Sequence, residues 1–96
     1  MTDINKNAAF ISLPAEVNIK NAATVKSLLD TALSSQLPGN VDTSSVQSVD
    51  TAGVQLLLAY ASHCGVRGVS PWKGTPSELI LGFCESVGID PVLLSR

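Results

Sequence analysis

Hydrophobic positions along the chain switch to a helical period three times, and each switch marks a helix between extended segments. Ala8 to Leu13 is a short apolar run that stops at Pro14, which reads as a strand. Ala15 to Ile19 is a candidate second strand. From Asn21 the spacing becomes helical: Val25, Leu28, Leu29, Ala32 and Leu33 fall at i, i+3, i+4, i+7 and i+8, with Asn21 placed to cap the helix. Leu37-Pro38-Gly39-Asn40 breaks it. Val41 to about Ser44 reads as a strand, and Val46 and Val49 carry apolar contacts along a loop that ends at Asp50-Thr51. Val54, Leu57, Leu58 and Ala61 begin a second helix, with Gly65 as its stop. Val66 to Trp72 is a further strand whose far end Pro71 turns outward. Thr75-Pro76-Ser77-Glu78 resembles a capping box with proline at the first helical position, so a third helix starts there, buries Leu79, Ile80, Phe83 and Val87, and closes at Gly88. Asp90-Pro91 starts a last short turn carrying Leu93 and Leu94.

Strand and helix therefore alternate. The expected fold is α/β in a single domain over residues 8–96, with a four- or five-stranded mixed sheet, about three main helices on one side, and a frayed stretch at 1–7. Ninety-six residues suit one domain of this kind. With 45% apolar but only 4% aromatic residues, the core has to be aliphatic.

Charge narrows the partners. The net charge is -2 and the six basic residues are scattered, so no face is expected to hold a nucleic-acid backbone. Cys64, Cys84 and a lone His63 cannot assemble a four-ligand zinc site, and the two thiols are expected to be free and buried. His63 falls about 18 Å along the second helix from Asp50-Thr51 at a 1.5 Å rise per residue, which disfavours a Ser/His/Asp type of catalysis. No phosphate-binding glycine loop is present. The expectation is a non-enzymatic, soluble, cytoplasmic protein with no metal or organic cofactor and no membrane insertion.

The informative stretch runs from Val41-Asp42 through Asp50-Thr51-Ala52-Gly53-Val54. It resembles the STAS family, the anti-sigma-factor antagonist-like domains of bacterial regulators. In that family a strand ending in Asp-Leu-Ser leads to an Asp-Ser/Thr-Ser/Ala/Gly-Gly-Leu motif at a helix start. Asp42 matches the first aspartate and Asp50 to Val54 the second motif, with Thr75-Pro76-Ser77 where members often carry Asn-Pro-Ser. Two features depart from the pattern. Pro14-Ala15-Glu16-Val17-Asn18 stands where members often have Gly-Glu-Leu-Asp, so Asn18 removes one negative charge, and the loop from Asp42 to Asp50 is rich in serine.

The resemblance implies a protein-interaction module in a partner-switching or chemotaxis-linked pathway. Thr51 would be the phosphoacceptor of a partner serine/threonine kinase or anti-sigma factor, surrounded by Asp42, Asp50, Ala52 and Gly53. An alternative from the same resemblance is an accessory subunit docked on the ATPase of a phospholipid transporter, with Thr51 as a contact. A plainer reading of the residues is that Asp50 or Thr51 only caps the helix, with Asp42 tied to its loop and Gly53 there for close packing. The second helix also has an apolar side at Leu56, Tyr60 and His63. That side is either buried under a neighbouring helix or forms a partner-binding strip. With Asn18, these three are the candidate partner contacts.

Overall fold

The computed structural model describes residues 10–34 and 41–94. Among these residues four two-residue strands, β1 (Ile11–Ser12), β2 (Glu16–Val17), β3 (Val41–Asp42) and β4 (Ser48–Val49), and three α-helices, α1 (Ala22–Ser34), α2 (Thr51–Arg67) and α3 (Glu78–Ser86), follow in the order β1-β2-α1-β3-β4-α2-α3. A 3₁₀ turn at Ile19–Asn21 leads into α1, and a second, Pro91–Leu94, follows α3. The expected fray at 1–7 and the Leu37 to Asn40 breaker lie outside the described residues.

The α/β class is as expected, whereas the sheet is not one mixed unit. Among the described residues the strands form two parallel pairs, β1 with β3 and β2 with β4. Parallel neighbours need a long crossover, and α1 lies between the members of the first pair. Ser48–Val49, expected as loop, is a strand because Val17 and Val49 come into register and both Gln47 and Ser48 amides donate to the Ala15 carbonyl. The strand expected from Val66 to Trp72 is absent. Helix α2 continues to Arg67, and Trp72 meets Val41 through a single bridge.

Three helix ends also fall elsewhere than the sequence suggests. Asn18, not Asn21, caps the 3₁₀ turn into α1, and the Asn21 side chain reaches back to the Asn18 amide at 3.0 Å. The stop of α2 is Gly68, not Gly65. Its φ of 73° lets its amide reach Gly65 while the Val69 amide reaches Cys64, which satisfies the last carbonyls. Ser77, not Thr75, caps α3, because the buried Thr43 hydroxyl accepts the Ser77 amide at 3.0 Å and fixes that residue at the helix start.

The core is aliphatic. Val17, Val25, Val41, Val54, Leu57, Ala61, Ile80 and Leu94 are fully buried, together with the free thiols Cys64 and Cys84. Tyr60 and Trp72 cap one side, with ring centroids 5.1 Å apart. Each has its polar end satisfied: Tyr60 donates to the Pro71 carbonyl and Trp72 to the Leu94 carbonyl, both at 2.6 Å. In α3 the buried positions are Ile80 and Cys84. Leu79 and Val87, expected in the core, are 40% and 47% exposed: a helix starting at Ser77 turns the Ile80 side inward and leaves Leu79 facing out, while Val87 lies past the last residue of α3.

Candidate functional site

The site is built around the start of α2. The chain leaves β4 at Val49, and the Asp50 amide donates to the Val17 carbonyl, so β2 positions the residue that opens the helix. Asp50 has extended backbone and its carboxylate accepts the Gly53 amide at 2.8 Å, the geometry of an N-cap. Its second oxygen accepts the Ile19 amide at 3.0 Å. One carboxylate thus ties the first turn of α2 to the turn that follows β2. The two amides, Gly53 first and then Ile19, hold the Asp50 carboxyl below the usual aspartate range by favouring its charged form.

Three residues further along, Gly53 packs against the β2 backbone. A Cβ built there would lie 1.9 Å from the Val17 carbonyl oxygen and 2.6 Å from its carbon. Only glycine fits, and its φ is not the reason. This helix start therefore needs both aspartate and glycine in the Asp50-Thr51-Ala52-Gly53 run for structural purposes.

Thr51 has neither duty. It is the first helical residue and is exposed, and among the described residues its hydroxyl has no hydrogen-bond partner. Of the two residues offered as the cap, Asp50 is the one that performs that function and Thr51 is not. Ala52 is half-buried behind it.

Asp42 belongs to a different local structure. It ends β3, and its carboxylate accepts the Ser44 amide at 2.9 Å in a turn that opens the serine-rich loop. That bond holds its carboxyl low, with a smaller contribution from the Lys73 charge. No hydrogen bond among the described residues joins Asp42 to Asp50 or Thr51. Asn18 lies beside the site, since the amide of the next residue is the one Asp50 accepts, but its own side chain is occupied with the Lys20 and Asn21 amides.

The Leu56, Tyr60 and His63 side of α2 turns toward α1. A small cleft of about 180 Å³ lies between the two helices, lined by Leu29 and Leu33 on one side and Leu56, Tyr60 and His63 on the other. Tyr60, expected as a possible partner contact, is 4% exposed with its hydroxyl bonded inside the protein, so it is corrected to a core residue. Leu56 is half-buried and His63 exposed. The residues that sequence reasoning missed are Val17 and Ile19, whose backbone groups seat Gly53 and Asp50. Backbone partners carry no sequence signal of their own. Gly53 is the partial exception, because a glycine inside a helix costs stability unless something must approach closely.

No group of three or more His, Cys, Asp or Glu among the described residues could hold a metal ion, and no described helix is long and apolar enough to cross a membrane. A family model described as "Mlab, STAS domain" matches residues 1–93. No curated protein and no solved structure matches the chain.

Proposed function

The chain belongs to the STAS domain family, and from that premise we propose that it is a regulatory protein-interaction module switched by phosphorylation of Thr51. The observation that carries this reading is the division of labour at the start of α2. Asp50 caps, Gly53 packs, and Thr51 between them is exposed with an unused hydroxyl.

A phosphate on Thr51 would bring about -1.5 to -2 charges to that point. The helix terminus favours anions by roughly 0.3–1 kcal/mol, yet its Gly53 donor already serves the Asp50 carboxylate. The new charge would sit beside an existing one. An exposed terminus tolerates this in water, but a partner covering Thr51 would have to desolvate both charges. Binding should then fall on the order of a hundredfold or more, which is about 2.7 kcal/mol or more.

The test is affinity capture of the wild-type chain, Thr51→Ala and Thr51→Glu from host extract, with mass spectrometry of the retained proteins and of Thr51 itself. Each retained partner is then titrated by calorimetry. A kinase or regulatory partner that binds Thr51→Ala and not Thr51→Glu, together with phosphate on wild-type Thr51, is the expected outcome. Equal affinities for the two variants would remove charge at Thr51 as the switch.

A second reading uses the same exposed hydroxyl as an uncharged contact on a transporter ATPase, in line with the Mlab description of the matching family model. In that case the retained partner is an ATPase and Thr51 carries no phosphate.

A further inference from the structure

Helix α3 carries two features that nothing within the described chain requires. Gly82 lies in its middle, where a built Cβ meets nothing within 4 Å and φ is not positive. Glycine weakens a helix interior without such a need. Glu85 lies in the last turn, the negative end of the helix, and among the described residues neither Glu85 nor Glu78 has an ion pair.

Both features border one surface. At 3.6 residues per turn, Ile80 and Cys84 point into the core, Glu78 and Glu85 share one outer edge, and Gly82 lies beside that edge. Leu79, Gly82, Phe83 and Ser86 face outward with Ser48 and Val49 of β4, and together they line an open groove of about 350 Å³. No lining residue is charged. Beyond β4, exposed Glu16 is in register with Ser48. The groove is therefore uncharged, with Val49, Leu79 and Phe83 as its apolar lining and an acidic residue or edge on each side.

We propose that this groove takes an α-helix of a partner protein, with an apolar side chain over Gly82 and Lys or Arg side chains along the Glu78 and Glu85 edge. The missing side chain at Gly82 allows a helix backbone to approach closely, and the unpaired glutamates select a basic flank. A second copy of this chain fits poorly, because a two-fold contact through this face would set the same glutamates against each other. Anionic lipid or nucleic acid would meet the same repulsion. Val49 is two residues from Thr51, so their Cα atoms are within about 7 Å and the β4 wall of the groove lies close to the phosphoacceptor. In that respect the inference rests on the reading of Thr51 given above.

The experiment is NMR shift mapping of the ¹⁵N-labelled full chain with a synthetic amphipathic helical peptide of Leu, Ala and Lys, and with its counterpart carrying Glu for Lys. The basic peptide should shift the amides of Val49, Leu79, Gly82 and Phe83 while the acidic peptide leaves them unmoved. Gly82→Leu and the double change Glu78→Gln with Glu85→Gln should each weaken binding about tenfold or more. Gly82→Ala keeps the test open should the leucine variant fold poorly, with a smaller loss expected. Shifts confined to another surface, such as a cleft that Leu58, Val66 and Leu93 line between α2 and the Pro91–Leu94 turn, or equal binding of the two peptides, would overturn the proposal. Thr51→Glu separates the two readings. Equal peptide binding by wild type and Thr51→Glu leaves the groove standing and detaches Thr51 from it. Loss of the native partner in Thr51→Glu without any peptide binding keeps the Thr51 switch and removes the groove.

Discussion

The Ile19 amide donates to the Asp50 carboxylate across 31 positions of sequence, at 3.0 Å, while the other oxygen of the same carboxylate caps α2 through Gly53. The turn after β2 and the start of α2 thus share one charged acceptor. Replacing Asp50 with Ala should expose both amides together. Hydrogen exchange read residue by residue is expected to speed up at Ile19 and at Gly53 in parallel, with amides deep in α2 little changed. Faster exchange at Gly53 alone would mean that the Ile19 bond does not hold the turn.

The same geometry sets a pH dependence. Asp50 and Asp42 both have carboxyls lowered in the folded state, by the Gly53 and Ile19 amides and by the Ser44 amide respectively. A carboxyl whose folded value lies below its unfolded value stabilises the fold above the unfolded value, about 3.9, and loses that contribution as pH falls through the folded value. Thermal stability should therefore decline below about pH 4 through these two groups. Melting curves from pH 6 to 2 are expected to be flatter in Asp50→Asn and in Asp42→Asn than in wild type, each variant removing its own share.

Glycines 53 and 82 are both helical and should respond oppositely to alanine. At Gly53 the new Cβ collides with the rigid Val17 backbone, and overpacking of this kind costs about 1–3 kcal/mol or more. At Gly82 it meets nothing, and alanine should stabilise α3 by roughly 0.5–1 kcal/mol. Urea titration of the two variants is expected to give midpoints on opposite sides of wild type, and a Gly53→Ala midpoint at or above wild type would remove the contact at Val17 as the reason for this glycine.

Tyr60→Phe removes the donor to the Pro71 carbonyl, which lies in a buried residue. A buried acceptor left without its partner costs about 1–3 kcal/mol, while the ring contact with Trp72 survives. Denaturant unfolding followed by Trp72 fluorescence should show that loss with the native emission retained. A neutral result would mean that the Pro71 carbonyl finds another donor.

Cys64 and Cys84 are both fully buried, and burial raises both thiols above their ordinary range. Thiolate is the reactive form, so both should resist a thiol reagent such as DTNB in native buffer and react fully in denaturant. Rapid native reaction at either position would show that the α2 and α3 packing opens readily.

The apolar spacing fixed which segments become helices, because amphipathic periodicity is local. It also placed the buried residues Val25, Leu29, Ala32, Val54 and Leu57. The Asp50 to Gly53 motif, with an N-cap aspartate and a glycine inside a helix, was legible for the same reason. What the spacing could not decide were choices made by partners distant in sequence. Asn18 and Ser77 cap instead of Asn21 and Thr75, in the latter case because Thr43 holds the Ser77 amide. Ser48–Val49 is a strand only because β2 lies beside it, and Val66 to Trp72 is not, because α2 continues until Gly68 can adopt its left-handed turn. Tyr60 lies on a side of α2 that the spacing leaves open between burial and a partner strip, and α1 packed beside that face, with Trp72 and Pro71, makes it core. Leu79 looked like core, and the registration of α3 at Ser77 left it at the rim of a groove. Short strands and helix ends are each held by only a few backbone bonds. Their position is therefore set by which neighbours the tertiary structure supplies, whereas a stripe several turns long is set by its own sequence.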